Sequence, residues 1–597
     1  MAGRRKWIGR VVLAACLALL SAFAATSRLV EPEEPQAAGA PGPNIVVIQT
    51  DDQSAETMRV MKRTNRSITR RGATFTNTFT NWPLCCPSRA TQLTGQYAHN
   101  HGVLGNEPPE GSYTQFARES NLAVWLEDAG YNVGHVGKFL HGYGPSRDLP
   151  RTPYDDTTEI PPGWTDWRTF TSRKLLKYYG YTQVERSEGD GERQGTIVKY
   201  GREARDFKTD VSTAQAVDLV DEYAESSDPF YLQVDYLAPH AGGPNKNAPR
   251  PPLDCDEYAK SASRHASAFD DEPLVPARSP SFNEGNVSDK PPRIARLPKL
   301  NSGGVRKIKQ EYRCRLESLL AVDEGVAKIM SRLRRTGELA DTYVFFTSDN
   351  GYFHGEHRIT RGKGLVYEPS IRVPLVVRGP AIPAGVRVKD LTSNADFATT
   401  VVALTGASPG STEPDGRSLI PATQSPGDET GRELLIETLS YDAIRTQRYK
   451  WVESEGGFRE LYDLKRDEDE LRNVANKRAY VEVRSLLAER LDELRDCSGA
   501  SCSASPRLDV AYGGVPQDES CTAGDVTVRV SGADTGEIRR VSFGLDGETL
   551  TRDSSSPFEH TVSRSELEGV GPAALSTAAE LIDGRRVVWN ESIDACP

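Results

Sequence analysis

Apolar, β-branched runs recur along the chain at Asn44–Thr50, Tyr131–Gly137, Phe230–Tyr236 and Thr342–Ser348. Such runs predict strands buried on both faces. Between them the period lengthens to that of a helix. Leu122, Trp125 and Leu126 follow Ser120 and stop at Gly130, and Leu316, Leu319, Leu320, Val326, Ile329, Met330 and Leu333 share one face before Gly337. Strands alternating with helices predict an α/β fold with a mostly parallel sheet flanked by helices. Ligands in such sheets sit at the carboxyl ends of the strands. Here those ends carry Asp51-Asp52, Lys138, the region of His240, and Asp349-Asn350. Two carboxylate pairs, a lysine and a histidine on one edge predict a site.

Residues 241–300 are rich in Pro, Asn, Ser and Asp, and read as a long excursion over that edge. Beyond Leu391 the pattern predicts a smaller α+β portion closing with a helix over Val481–Cys497. From about Pro506 the period shortens to two. Val526, Val528 and Val530 alternate, as do Val541, Phe543 and Leu545, and Asp546-Gly547 and Asp583-Gly584 mark hairpin turns. A terminal immunoglobulin-like β-sandwich is predicted. At the other end, Arg4, Arg5, Lys6 and Arg10 precede the apolar run Val11–Ala25, with Ala22-Phe23-Ala24 as a cleavage site. That is the pattern of a secretory signal peptide, too short for a membrane span. Cys16 weakly mimics a lipoprotein anchor, but the apolar run continues past it. The expected organisation is a signal peptide (1–25), a linker (26–42), a catalytic domain (43–395), its C-terminal subdomain (396–503) and the sandwich (506–597).

Composition narrows the partners. The net charge of −11 gives no support to nucleic-acid binding, and an anionic ligand must instead be held by a locally cationic pocket. Of the nine cysteines, Cys16 falls in the signal peptide, and export exposes those beyond it to oxidation. Cys497–Cys502 is the closest-spaced pair, Cys521–Cys596 would clamp the ends of the sandwich, and Cys255–Cys314 would leave Cys86 free. Spacing alone does not decide the connectivity.

The candidate chemistry centres on Leu84 to Gly95 (LCCPSRATQLTG). Pro87 suits the first turn of a helix and Gly95 the position just past its end. This sets Cys85 just before the N-terminus, where backbone N–H groups favour an anion. Asp51, Asp52, Asp349 and Asn350 are an all-oxygen set, suited to a hard cation such as Ca2+ and unsuited to Zn2+.

Cys85-Cys86-Pro87-Ser88-Arg89 with Leu93-Thr94-Gly95 resembles the signature of type I, formylglycine-dependent sulfatases, members of the alkaline-phosphatase-like superfamily. The resemblance runs from about Pro43 to Cys502 and points to the N-acetylglucosamine-6-sulfatase-like branch, which includes the extracellular heparan endosulfatases. It is carried by Tyr97-Ala98-His99-Asn100-His101, Gly137-Lys138-Phe139-Leu140, Thr336-Gly337-Glu338-Leu339 and Thr347-Ser348-Asp349-Asn350-Gly351-Tyr352. Gly362-Lys363-Gly364-Leu365-Val366-Tyr367-Glu368 and Ile371–Pro380 continue it.

The resemblance implies a secreted enzyme in which a formylglycine-generating enzyme oxidises Cys85 to an aldehyde. The aldehyde hydrate attacks a sulfated carbohydrate, and its second hydroxyl then expels sulfate. Asp51, Asp52, Asp349 and Asn350, with the modified Cys85, would hold one Ca2+ per catalytic domain. Arg89 and Lys138 would stabilise the hydrate, while His240 and Lys363 would bind sulfate or aid the leaving group. Many arylsulfatases carry a histidine where Leu140 stands, and His141 is the candidate to replace it as base. His99, His101, His354 and His357 are weaker candidates, with His357 able to line a sugar pocket. The terminal sandwich is assigned attachment or spacing, with glycan or cell-surface contact. Two other readings remain: a phosphodiester or phosphonate monoester hydrolase on the same fold, and a glycan-binding protein whose Cys85 is never oxidised.

Overall fold

In the computed structural model, Asn44–Thr50 forms β1 and buries all seven of its residues. The cause is visible in the side-chain alternation. Ile45 and Val47 enter one hydrophobic cluster, with Leu122, Leu126 and Phe345. Val46 and Ile48 enter another, with Leu316, Val326 and Phe346. A strand covered on both faces has no position for a polar residue, so its period disappears. The described residues are 42–144, 158–186, 193–242, 255, 257–515, 521–568 and 572–596. The expected signal peptide, Cys16 and nearly all of the linker lie outside them.

The other strands of this sheet are β2 (Ala73–Phe79), β3 (Asn132–Gly137), β4 (Asp166–Phe170), β5 (Thr182–Glu185), β6 (Thr196–Lys199), β7 (Phe230–Asp235), β8 (Thr342–Ser348), β9 (Leu375–Arg378) and β10 (Val386–Ser393). They run in the order β10-β2-β9-β8-β1-β7-β3-β4-β5-β6. The centre, β8-β1-β7-β3-β4, is parallel throughout, whereas β9, β5 and β6 pair antiparallel. The strands predicted from apolar runs are four neighbours in that centre, displaced by at most one residue. The long helix Ser302–Thr336 is capped by the Asn301 side chain, which accepts from the Gly304 N–H at 2.9 Å, and ends at Gly337. On the opposite face, Leu122–Asp128 is capped by Asn121, which accepts from the Ala123 N–H at 3.1 Å.

Beyond the sheet come β11 (Glu429–Thr430), then β12 (Leu434–Thr438), β13 (Tyr441–Arg445), β14 (Tyr449–Ser454) and β15 (Arg459–Asp463). The last four form an antiparallel meander. Helix Val481–Arg495 covers it, packing Leu487, Leu491 and Leu494 with Ile444, Trp451 and Leu461. The terminal strands are β16 (Leu508–Gly513), β17 (Cys521–Thr522), β18 (Val526–Gly532), β19 (Ile538–Leu545), β20 (Glu548–Asp553), β21 (Phe558–Val562), β22 (Ala573–Leu581) and β23 (Arg586–Ala595). They make a sandwich of β16-β18-β21 against β23-β22-β19-β20. Val526, Val528 and Val530 face Val541, Phe543 and Leu575 across its core. Asp546 (φ 49°) and Gly547 (φ 85°) give the tight turn between β19 and β20 two left-handed residues.

One pairing crosses the expected domain boundary. β11 joins the edge of the sandwich, with Glu429 opposite Val588 and Thr430 opposite Val587. The sandwich is therefore hydrogen-bonded into the body that precedes it. Disulfides link Cys255–Cys314, Cys497–Cys502 and Cys521–Cys596, and leave Cys85 and Cys86 as buried thiols.

Candidate active centre

Asp51 and Asp52 follow β1 directly, and Asp349 and Asn350 follow its parallel neighbour β8, so register alone sets the two pairs side by side. Asp52 takes the left-handed φ of 66°, which aspartate tolerates. Its N–H donates to Asp349 Oδ1 at 3.0 Å, and Asn350 Nδ2 donates to Asp52 Oδ1 at 2.7 Å.

Cys85 reaches the same place from a buried helix, Cys85–Thr94. The helix begins at Cys85 itself, with Leu84 as its extended cap, two residues earlier than the proline signal implied. The Cys86 N–H, free at this terminus, donates to Asn106 Oδ1 at 2.9 Å. Gly95 closes the helix at φ 72° and donates its N–H to the Thr91 carbonyl at 2.8 Å.

Two ammonium groups converge on the Cys85 sulfur, Lys138 Nζ at 3.3 Å and Lys363 Nζ at 2.9 Å. Lys138 also contacts Asp51, and Lys363 contacts Asp52. The thiol itself donates to Asp51 Oδ1 at 3.7 Å. Burial, then Asp51, push that thiol up to about 11, outweighing the two lysines. Near neutral pH the residue is a protonated thiol, a poor nucleophile in that form. Burial also raises Asp51, but Lys138, His240, Lys363 and Arg89 together hold it well below the usual carboxylate range. Both lysines stay charged, because the carboxylates outweigh the burial that opposes them.

Arg89, one turn along the helix, is almost wholly occupied by protein groups. Nε donates to Asp349 Oδ2 at 3.0 Å and Nη1 to the Lys138 carbonyl at 2.9 Å. Nη1 also lies 3.1 Å from Asp235, and Nη2 lies 3.3 Å from Asp51. The sequence reading gives Arg89 the stabilisation of the hydrate at residue 85, and the structure places its guanidinium among the carboxylates beside that residue.

The donor set fits a hard divalent cation. Asn350 Oδ1 is buried and accepts no hydrogen bond among the described residues, although the same amide donates twice. One oxygen each from Asp51 and Asp52, the Cys85 sulfur and a His240 ring nitrogen lie within 4.8 Å of one another. This group takes in His240, which the sequence reading assigned to sulfate. Asp349 adjoins it through its hydrogen bond to Asp52.

His240 hydrogen-bonds the Ala241 carbonyl through Nδ1 at 2.8 Å, leaving Nε2 3.6 Å from Asp52. Burial lowers it to about 4 despite Asp52 and Asp51. His141 donates its backbone N–H to Cys86 Sγ at 3.2 Å, and its Nε2 is buried without a partner among the described residues. Burial, then Lys138, hold its imidazole well below the usual histidine value. The remaining histidines are engaged elsewhere. His99 pairs with Glu437 at 3.0 Å, His101 with Thr91 at 3.0 Å, and His357 with Glu284 at 2.7 Å. His354 packs between Tyr312 and Tyr352. His357 does line a hollow, together with Ser54 and Tyr352.

Two supporting residues escaped the sequence reading. Asp235 ends β7 and holds both Arg89 and His135, and its position at the tip of a buried strand was the available signal. Arg315, inside the long helix, donates to the Asp52 carbonyl and stacks 3.8 Å over Tyr352. Its helical periodicity carried no mark of that role.

A family model described as Sulfatase matches residues 43–407, one described as N-sulphoglucosamine sulphohydrolase, C-terminal matches 355–497, and one for a bacterial Ig domain matches 515–573. An N-acetylglucosamine-6-sulfatase of Homo sapiens is 31% identical over 83% of this chain and 92% of its own. An extracellular sulfatase Sulf-1 homolog of Caenorhabditis elegans is 33% identical over 63% of this chain, which spans 48% of that longer protein. Among solved structures, a complex with its substrate D-glucosamine-2-N,6-O-disulfate has 22% identity and a TM-score of 0.58, covering 76% of this chain and 97% of that one. A phosphonate monoester hydrolase of Agrobacterium radiobacter has 23% identity and a TM-score of 0.56, covering 78% and 100%.

Proposed function

This chain belongs to the sulfatase family, with its alkaline-phosphatase-like fold and a terminal Ig-like domain, and from that premise we propose a secreted hydrolase of sulfate esters on glucosamine-containing glycans, acting at the 6-position of N-acetylglucosamine. The observation that carries the reading is the buried Cys85 sulfur, touched by Lys138 at 3.3 Å and Lys363 at 2.9 Å beside two aspartates. The sugar is taken from the glucosamine substrates that the names of its relatives print. Secretion is supported by three disulfides and the N-terminal apolar run.

Asp51, Asp52, Asp349 and Asn350, with residue 85, would hold Ca2+, and Cys85 would be the residue that a formylglycine-generating enzyme oxidises; these groups would supply a nucleophile and charge neutralisation at the sulfuryl oxygens. The rest is done by side chains already in place. Lys138 and Lys363 meet the position-85 side chain with positive charge, where the sulfate oxygens build negative charge. Arg89 positions Asp51, Asp235 and Asp349 and fixes the ligand cage. His240 donates its Nδ1–H to the Ala241 carbonyl, so its Nε2, beside Asp52 at 3.6 Å, meets a sulfate oxygen as a donor only after taking up a proton. His141, held neutral and without a partner at Nε2 among the described residues, would be the base that accepts a proton at residue 85. Mass spectrometry of the Cys85 peptide tests the modification, since the aldehyde is lighter than the thiol. A panel of sulfated monosaccharides and aryl sulfates tests the substrate.

A second reading, hydrolysis of phosphodiesters or phosphonate monoesters, is favoured by the fold shared with the Agrobacterium enzyme. Comparing kcat/KM for N-acetylglucosamine 6-sulfate and a phosphodiester decides between them. A much higher phosphodiester value overturns the sulfatase assignment.

A further inference from the structure

Two adjoining hollows of 620 and 380 Å³, neither lined by Cys85 or its lysines, open where the β12–β15 meander and the β2–β10 margin of the large sheet meet the terminal sandwich. They share Arg448, Lys465 and Glu580, so they form one groove. One wall is the turn between β13 and β14 and the end of β15. The other is the start of β19 and the β22–β23 hairpin. Ten basic side chains line the groove against four acidic ones, a local excess opposite in sign to the chain's net −11.

Arg372, Arg445, Arg448, Arg540, Arg585 and Arg586 pair with carboxylates, and the uncommitted charge lies on the remaining cations. Arg539 makes no hydrogen bond or ion pair among the described residues. Lys465 comes no closer than 3.8 Å to Glu580, and Arg466 no closer than 3.8 Å to Asp463, which Arg448 already engages through both oxygens. The Lys465 and Arg466 side chains are 64% and 72% exposed. Arg540 reaches Glu580 at 2.6 Å but leaves Nε buried and unbonded. The Gln447 amide beside them is buried without a hydrogen-bond partner among the described residues.

We propose that this groove is a second binding site that holds an extended, repeatedly anionic saccharide, a sulfated glycan chain, apart from the reacting residue. The cations lie along two walls and do not converge on one point, and the combined hollow exceeds a single sulfate, so the ligand carries anions at intervals. Clefts between domains are common ligand sites. An exposed cationic groove also concentrates a polyanion that the net negative chain would otherwise repel. The choice of sulfated saccharide over other polyanions rests on the proposed function, but binding is read without turnover, so the two readings fail separately.

The test uses the full-length protein and a fluorescent heparin dodecasaccharide as probe. In the Arg466→Glu/Arg539→Glu variant, Kd for the probe should rise at least about tenfold, and the salt dependence of binding should flatten. Hydrolysis of N-acetylglucosamine 6-sulfate should stay unchanged. The milder Arg466→Ala/Arg539→Ala variant should fall between, with an unchanged melting temperature. Unchanged probe affinity in both variants overturns the proposal. So does double-stranded DNA of matched charge binding wild type as tightly as the probe, which would make the groove a non-selective polyanion patch. Loss of small-substrate hydrolysis alongside binding would assign both arginines to the architecture of the reaction centre and also overturn it.

Discussion

Arg89 and Arg466 sit beside aspartates in two cation-rich regions of the same molecule. Arg89 is 2% exposed and lies within 3.3 Å of Asp51, Asp235 and Asp349. Arg466 is 72% exposed and stands 3.8 Å from Asp463. In the first case the guanidinium is immobilised by partners from three strand ends, and every charge depends on the others. In the second the side chain has no nearer ion-pair partner among the described residues. A buried charge cluster sets geometry at a reacting atom, where misplacement is costly. An exposed cluster attracts and releases, and tolerates movement. One chain uses the same residue type for both tasks by changing only its burial.

The contrast is broken most severely at residue 85. Cys85→Ser should lose multiple turnover by at least about a thousandfold and retain bound sulfate, while its circular dichroism spectrum stays that of the wild type. Normal steady-state turnover from that variant would exclude the hydrate mechanism. Asp52→Asn should cut kcat by about a hundredfold or more and weaken Ca2+ retention, read by kinetics and metal analysis after EDTA treatment. It also strips Lys363 of its partner in a buried setting, so denaturant unfolding should show a loss of about 3–5 kcal/mol. Wild-type Ca2+ retention in this variant would remove Asp52 from the ligand set.

His141→Gln is the sharper probe of the reaction edge. It should lower kcat by about 10²–10³ with little change in melting temperature, and single-turnover kinetics should show sulfated enzyme accumulating. An unchanged kcat would return the base role to another group.

A smaller effect tests burial without catalysis. Burial lowers His101 to about 3. Its Nδ1 accepts the Val103 N–H at 3.1 Å, and Nε2 faces Thr91. The folded state therefore holds His101 neutral where the unfolded chain, titrating near 6.5, takes up a proton. Stability should fall as pH drops from about 6.5 towards about 3, by at most about 1.4 kcal/mol per pH unit from this group. His101→Gln should flatten that slope in denaturant titrations, and an unchanged slope would assign acid sensitivity elsewhere. Smallest of all, Arg466→Ala should change unfolding free energy by no more than about 0.5 kcal/mol. A larger loss would mean that the groove arginines are structural.

Sequence legibility followed the same division. The centre of the large sheet was readable because a strand buried on both faces has no polar alternation, and β1, β3, β7 and β8 all carry that mark. β4, β5 and β6 on one side and β9, β2 and β10 on the other flank those four, and polar residues within them interrupt the apolar run. The acidic tips and Cys85 were legible because they follow strand and helix signals directly. Asp235 and Arg315 were not, since their work is to hold other residues. Pairing of β11 with β23 was invisible for a different reason: two residues have no periodicity, and their partner lies far along the chain. The groove was equally hidden, because its walls come from segments that meet only through that docking.

That docking has a temporal side. Translation delivers Glu429-Thr430 well before Val587-Val588, so the edge they complete stays open until β23 has emerged and folded back. Oxidation of Cys521 with Cys596 likewise waits for the end of β23. Nascent chains arrested short of Cys596 should therefore be cut by protease around residue 430, where the released enzyme resists.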